Sequence, residues 1–554
     1  MYINLGYQNL AEFVFKYIFP TMFISILFSG IFIIEPAIPN FLSIFVLIIG
    51  FGFMILYPVL SFFHRTVEIH EYLHFFITYS SALANLQVTK GQIFKKVSEF
   101  RRFGYISDVS AKIVYFLKQW NVTFPETVRK VSKLVPSKIF KDFLDRLATV
   151  SDFGEDIEIF LDEEQEAVMT DLENQYEQTF ENIKTVQEVF VSLIITVAFM
   201  MAISLLMPII SPDVTFSLIL QIGLIVVFIL DGIVVLVVWI LIPRDRMFHN
   251  LDIEDDLRSQ VNTMFLVTTP FTLFILLFIG FTMVDRIPFL LTIGLGISPL
   301  MVPALYALEA ENKVHERDKS YPTFIRTMGE ALETKGGAVL STVEGLRTHF
   351  FGSLDDMFQN LYKRLKIGSD KYMSWLYFSG ETGSNLIYQF TQIFVESIYL
   401  GANAEKVGST ISENFTKILN LRKIKFQLGS QMRGTFYGAL VGFTATTYIS
   451  ANITEKLSFM FTQPMENLGG MGEFQGVIDS IVPAIPEVDM FVVNTLIGIM
   501  VIIHALASSI TIKIIEGGSK FAILFDFIVL VWIGAFLSTT IPVVMDVLLP
   551  SFGG

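Results

Sequence analysis

Nine apolar stretches interrupt this chain, at about 17–34, 41–63, 189–210, 216–242, 264–283, 289–308, 434–450, 490–515 and 521–549. A helix must be apolar for about 20 residues to cross the hydrocarbon core of a bilayer, and lipid offers no partner to an unpaired backbone amide. Runs of this length and number therefore predict an all-α, polytopic integral membrane protein. The rest of the composition agrees: 53% of residues are hydrophobic, 17% are charged, and 55 are Phe. The run beginning at Tyr17 has no basic leader segment and no small-residue cleavage signature, so it reads as a retained first span. Thr444, Thr446 and Thr447 dilute the run at 434–450, and the last run exceeds a straight span, which predicts a tilt or a break at Pro542.

Basic residues orient the spans. The connections at 35–40 and 211–215 contain no Lys or Arg, 284–288 contains only Arg286, and 451–489 contains only Lys456. The alternate segments, 64–188, 243–263 and 309–433, hold nearly all the rest. This pattern predicts a cytoplasmic N-terminus and an external C-terminus. It divides the chain into two N-terminal spans (1–63), a first cytoplasmic lobe (64–188), four spans (189–308), a second cytoplasmic lobe (309–433), and three spans (434–554) with an external loop at 451–489.

Both lobes read as helical bundles. Pro125–Leu134 and Leu354–Leu365 carry apolar residues at helical spacing, and alternating β-branched runs are missing. Charge in the first lobe is sorted: Lys90–Arg146 is basic, whereas Glu155–Glu188 is strongly acidic. Sorted charge of this kind is either a pair of solvated helix faces or a docking surface. The net charge of −14 argues against nucleic acid as a partner, and the absence of Cys removes disulfides and thiolate chemistry.

The lobes also resemble each other. Tyr72, Phe75, Thr78, Ala82 and Leu83 recur as Tyr321, Phe324, Thr327, Ala331 and Leu332, each 249 residues later (321 − 72). Thr89-Lys90-Gly91 matches Thr334-Lys335-Gly336, and Ser151-Asp152-Phe153-Gly154-Glu155 parallels Phe378-Ser379-Gly380-Glu381. The string Gly380-Glu381-Thr382-Gly383-Ser384-Asn385-Leu386 resembles the Gly-Glu-x-x-Gly-x-Leu signature of the type II secretion system F domain, with the second Gly one place early. Pro322-Thr323-Phe324-Ile325-Arg326, followed by Ala331-Leu332-Glu333, resembles the start of that domain. Two such domains, each followed by spans, look like the archaeal branch of the family, which includes the archaellum assembly platform.

That resemblance implies a role at the base of a type IV pilus-like machine: a cytoplasmic hexameric ATPase acts on the platform while pilin-like subunits enter a filament. It also implies a homodimer in the lipid bilayer. An adhesion-pilus or secretion platform is the neighbouring alternative. The residues expected to meet partners are Gly380, Glu381 and Gly383, their partial echoes Gly154 and Glu155, and the basic faces. Those faces comprise Lys95, Lys96, Arg101 and Arg102 in the first lobe, and Lys363, Arg364, Lys366, Arg422 and Lys423 in the second.

The chain carries no G-x-x-x-x-G-K-[ST], and Gly517-Gly518-Ser519-Lys520 lacks both the order and the preceding strand of a phosphate loop. Energy is expected from a partner, and the chain is not expected to be an enzyme or to need a cofactor. His70-Glu71-Tyr72-Leu73-His74 is nonetheless a complete H-E-x-x-H, a spacing that sets two imidazoles on one helix face for zinc. With Asp231 of Leu230-Asp231-Gly232 as a third ligand, a membrane-embedded metalloprotease is the alternative function. Three features oppose it: the His pair lies beyond the second span, Asp231 lies about 16 Å inside its own span, and the repeat has Lys319, Ser320 and Thr323 in the corresponding places. Asp231, His504 and Asp526 are ionisable residues within spans, where an unpaired charge is costly. Asp231 and His504 each lie eleven residues from the inner end of their spans (242 − 231 and 515 − 504), a depth that permits pairing.

Overall fold

The computed structural model describes residues 22, 65–84, 86, 88–119, 122–210, 216–243, 245–251, 253, 256–282, 287–468 and 489–548. The expected spans at 17–34 and 41–63 lie outside the described residues. Among the described residues there is no strand; the backbone is helical nearly throughout.

The first lobe comprises α1 (65–84), α2 (Lys90–Glu99), α3 (Tyr105–Gln119), α4 (Phe124–Ser132) and α5 (Lys138–Phe153). The 48-residue α6 (Ile157–Ser204) follows. Next come α7 (Phe216–Leu241), α8 (Asp256–Thr282), α9 (Phe289–Ile297) and α10 (Met301–Thr334). The second lobe continues through α11 (Val339–Gly345), α12 (Asp355–Lys366), α13 (Lys371–Glu381) and α14 (Asn385–Tyr399). The chain closes with the 65-residue α15 (Ala404–Leu468), α16 (Met490–Glu516) and α17 (Ile523–Leu548).

Among the described residues, six helical stretches are long and apolar enough to cross a membrane: Ile157–Ser204, Phe216–Leu241, Arg258–Thr282, Phe289–Thr334, Met490–Glu516 and Lys520–Leu548. They contain six of the nine expected spans. The outward faces of these helices are apolar; Leu266, Phe274 and Phe281 on α8, and Phe536 and Val547 on α17, are well exposed. Water would penalise that surface, and lipid does not. The stretch 434–450 lies inside α15 and is helical, but is less apolar than the six. The reason is visible in its packing: Met432, Phe436, Leu440 and Phe443 are buried against the other helices, and Thr444 and Thr447 are wholly inaccessible. A helix that meets protein on its inner side needs less apolar surface than one wrapped in lipid. α17 continues through Pro542 without a break.

Two compact units emerge. One comprises Met1–Asn174 with Glu396–Val407; the other comprises Gln175–Val395 with Gly408–Gly554. Most of the second lobe therefore belongs with the apolar helices, because α10 carries the chain out of that bundle and on into the lobe without interruption. In the apolar bundle, small residues let the helices approach closely. A Cβ added at Gly534 would stand 2.7 Å from Val501, and one at Gly498 would stand 2.6 Å from the Phe289 ring.

Each lobe closes on an aromatic core. In the first, Phe76 lies 5.4 Å from Phe140 and 5.6 Å from Phe143, edge to face. In the second, Phe324 lies 5.1 Å from both Phe351 and Phe378. Helix ends obey local chemistry: Ser137 and Asp370 cap α5 and α13, and α12 places Asp355 and Asp356 in its first turn and Lys363, Arg364 and Lys366 in its last.

The helix order makes the internal repeat explicit. α2 to α6 begin at residues 90, 105, 124, 138 and 157; α11 to α15 begin at 339, 355, 371, 385 and 404. The offsets are 249, 250, 247, 247 and 247. This register corrects one expected correspondence. Gly154, left-handed at φ 75, terminates α5, whose counterpart α14 is followed by Gly401, at φ 95. Gly154 and Glu155 therefore do not echo Gly380 and Glu381. The equivalent of the Gly380–Ser384 corner is Lys133–Ser137 (384 − 137 = 247), and in both copies the Ser begins the turn that leads into the next helix. Short-range identity of Gly-Glu misled: Gly380 and Glu381 end α13, whereas Gly154 and Glu155 follow α5.

Candidate coupling site

The turn between α13 and α14 carries Gly380, Glu381 and Gly383, and it is held from three sides. α13 stops at Glu381, and Gly383 then takes φ 71, a left-handed conformation that glycine adopts without a Cβ clash. Ser384 starts α14 by accepting from Ile387 N at 3.2 Å. Thr382 Oγ1 donates to Ser379 O at 2.6 Å and accepts from Ser384 N at 3.3 Å.

The first restraint comes from within the lobe. Arg364 of α12 is ion-paired with Glu381, and Asn360 Nδ2 reaches the same carboxylate at 3.5 Å. The Arg364 guanidinium also lies over the Tyr377 ring, 5.2 Å from its centroid. Arg317 of α10 donates to the carbonyls of Glu381 (3.3 Å) and Thr382 (2.8 Å), giving the open end of α13 both hydrogen-bond donors and a favourable charge.

The second restraint comes from the connection between α7 and α8. His249 Nε2 lies 2.7 Å from Gly380 O; since a carbonyl only accepts, Nε2 carries the proton, and Nδ1 accordingly accepts from Leu251 N at 3.2 Å. His249 N donates to Gly383 O at 3.3 Å, and Asn385 N donates to Met247 O at 2.8 Å. A Cβ on Gly380 would meet Ile253 Cδ1 at 2.7 Å, so glycine is what allows this segment to lie against the corner.

The third restraint lies beneath. Ser384 Oγ donates to Asp318 of α10, and Asp318 accepts from Arg422 Nη1 of α15 at 2.7 Å. Arg422 grips Asp245 with Nε and Nη2 at 2.6 and 2.7 Å. Asp318 is inaccessible and Arg422 is 4% exposed. The corner, α10, α15 and the α7–α8 connection are thus joined by one interior network of charge. The hydroxyl–carboxylate pair here, Ser384 with Asp318, is wholly inaccessible, and the arrangement ties the corner to its neighbours.

The remaining expected partner residues divide by exposure. Lys95 and Arg101 are exposed, Lys96 and Arg102 half-buried, and all four sit on α2 and the turn that follows it. Lys363, Lys366 and Lys423 are exposed, and so is Glu155. Arg364 is committed to Glu381. Arg422 is corrected outright: it is an interior residue, held between the inaccessible Asp318 and the partly buried Asp245. Arg317, Asp318, Asp245 and His249 escaped the sequence reading. Asp318 had a signal, since it interrupts the apolar stripe of Val314, Tyr321 and Ile325 at helical spacing.

Within the apolar bundle, His504 Nδ1 lies 2.9 Å from Asp231 Oδ1, and both side chains are buried. Asp526 meets Arg433 Nε and Tyr437 Oη, each at 2.7 Å. The Asp231 carboxylate proposed for zinc is therefore engaged by His504. His70 Nε2 lies 3.0 Å from Ser137 Oγ, and the His74 ring lies 3.9 Å from the Phe75 ring. Burial pushes the His70 imidazole down to about 4, so it is neutral at pH 7. Among the described residues, no three His, Asp or Glu side chains gather in a metal-holding arrangement. The metalloprotease alternative has no support.

No family profile matches the chain, and neither does any solved structure. Two full-length relatives do. One, the flagella accessory protein J of Methanocaldococcus jannaschii, is 31% identical over 520 residues, covering 92% of this chain and 90% of its own. The other, the flagella accessory protein J of Methanococcus voltae, is 26% identical over 547 residues, covering 97% and 96%. Identity at that level along nearly the whole length, on a membrane protein of apolar helices and intervening lobes, establishes that the chain belongs to the flagella accessory protein J family.

Proposed function

We propose that this protein is the membrane platform of an archaellum assembly machine, and that its lobes receive work from a cytoplasmic hexameric ATPase while pilin-like subunits join the filament. The observation that carries this reading is the joint at Gly380–Ser384. Three backbone or imidazole hydrogen bonds tie the α7–α8 connection to the second lobe, and the Asp245–Arg422–Asp318 network links that connection to α10 and α15. A push on the lobe therefore reaches apolar helices through stiff contacts. Lys95 and Arg101, exposed, with Lys96 and Arg102 half-buried beside them, supply a surface for an acidic partner face. The apolar runs favour nine spans, the resemblance favours F-type lobes, and the basic residues favour lobes inside and the C-terminus outside; pseudo-equivalent lobes suit a homodimer on a symmetric motor.

Reversing Lys95, Lys96, Arg101 and Arg102 to Glu should slow association with the ATPase, and raised salt should mimic the effect on the native protein. Gly383→Val should abolish filament assembly with no salt signature, because a β-branched residue cannot take φ 71 without strain. Both variants should still insert in the membrane. Normal ATPase association of the reversed variant at low and high salt removes the basic face from the mechanism. Cysteines at Lys112 and Ser353, both exposed, should be shielded from an impermeant thiol reagent in intact cells. A cysteine at Gly470 should label, and labelling at Ser353 would overturn the orientation.

A further inference from the structure

Where the α7, α16 and α17 ends meet the start of α8, the protein forms a half-open cavity of about 830 Å³, well within the range of small-molecule sites. Five cationic side chains line it (Arg246, Arg258, Lys425, Lys513 and Lys520) against a single carboxylate, Asp245. That carboxylate is held by Arg422, and Lys513 is matched by Glu311 at 2.7 Å. Arg258 and Lys520 are exposed, and among the described residues no carboxylate lies within ion-pair distance of either. The lining also includes apolar side chains, Trp239, Ile510, Ile514, Phe521 and Ile523. The charge sits where four apolar helices end, which is the edge of the bilayer, and Trp239 is 41% exposed at that level.

We propose that this cavity binds the phosphate headgroup of an anionic membrane lipid, with Arg258 and Lys520 on the phosphate and the lipid chain running along Trp239, Ile514 and Ile523. The same cavity includes Gly517-Gly518-Ser519-Lys520, the fragment that fails as a nucleotide loop, and its backbone explains the choice of ligand. Ser519 N is taken by Glu311 at 2.6 Å, Gly517 N by Lys513 O at 2.8 Å, and Phe521 N by Ser519 Oγ at 3.3 Å. With these three amides engaged, the loop keeps too few for a polyphosphate cradle. What remains is side-chain cation beside apolar surface, the pattern that suits a lipid anion. A lipid so placed would knit together the ends of α7, α8, α16 and α17 next to the connection that reaches the coupling corner.

The test uses full-length protein, delipidated in a neutral detergent and titrated with phosphatidylglycerol, phosphatidylcholine or inorganic phosphate, and read by native mass spectrometry. Phosphatidylglycerol should remain bound at one per chain, and phosphatidylcholine should not. Arg258→Gln and Lys520→Gln should each weaken retention roughly fivefold, and about 25-fold together. Both residues are exposed, so folding should survive. Quenching of Trp239 fluorescence by brominated lipid chains should fall in parallel, which provides a readout independent of retention. Three results overturn the proposal: unchanged retention in the double variant, equal loss in a Lys319→Gln/Lys363→Gln control, or displacement of the lipid by inorganic phosphate at equal concentration, which would mark a free-anion site. The assay contains no ATPase, so failure here leaves the platform reading untouched, and failure of that reading leaves this one.

Discussion

Removing Arg422 tests whether the interior charge network holds the joint together. Arg422 makes three short contacts, at 2.6 and 2.7 Å to Asp245 and 2.7 Å to Asp318, and its side chain is 5% exposed. Arg422→Met keeps most of the volume and strands two carboxylates, of which Asp318 is wholly inaccessible. Breaking a buried ion pair from one side costs about 3–5 kcal/mol, far more than a surface pair, because an uncompensated charge stays buried. Arg422→Lys should lose about half of that, since one ammonium cannot satisfy a bidentate carboxylate and a second acid together. Adding Asp318→Asn and Asp245→Asn to Arg422→Met should restore most of the loss, as no charge then remains to strand. Denaturant unfolding in detergent reads these differences through Trp375, which is 2% exposed in the second-lobe core, with the other tryptophans replaced by Phe. Lowering the pH should partly rescue Arg422→Met, because a proton on either carboxylate removes charge that Arg422 no longer balances. A loss below about 1 kcal/mol, or an equal loss in the single and triple variants, would refute the network as a structural element.

Asp231→Asn and His504→Ala should each destabilise the apolar bundle, and the double variant should be little worse than either, with a coupling of about 1–2 kcal/mol; additive losses in a double-mutant unfolding cycle would count against the 2.9 Å contact. His70 provides a pH test. Its folded-state value of about 4 lies below the ordinary 6.5, so its contribution is fully present above 6.5 and is lost as pH falls toward 4. The first lobe should therefore lose about 2 kcal/mol between pH 7 and 5, measured by denaturant midpoint, and His70→Gln should flatten that slope; an unchanged slope would mean that His70 is hydrated.

The sequence by itself determined the solvent and most of the helices. Apolar runs of bilayer length can be stabilised in few other ways, and the helix pattern in Pro125–Leu134 and Leu354–Leu365 emerged as Phe124–Ser132 and Asp355–Lys366. It also revealed the repeat through Tyr72 and Tyr321, and it placed Asp231 and His504 at one depth, because depth along a helix is simple counting. Tertiary structure alone decided which helices are neighbours, and that settled everything about the site. Arg422 reads as one more cation beside Lys423 until α15 turns it inward onto Asp318 and Asp245, residues 104 and 177 positions away. His249 and Ile253 lie in a short connection with no pattern of its own, and only the packing of that connection on Gly380 gives them a role. Gly154 looked like Gly380 because a Gly-Glu pair near a helix end is a local feature, whereas equivalence between repeats depends on helix order over more than a hundred residues. Local periodicity reports which face is apolar; it does not report what that face will touch.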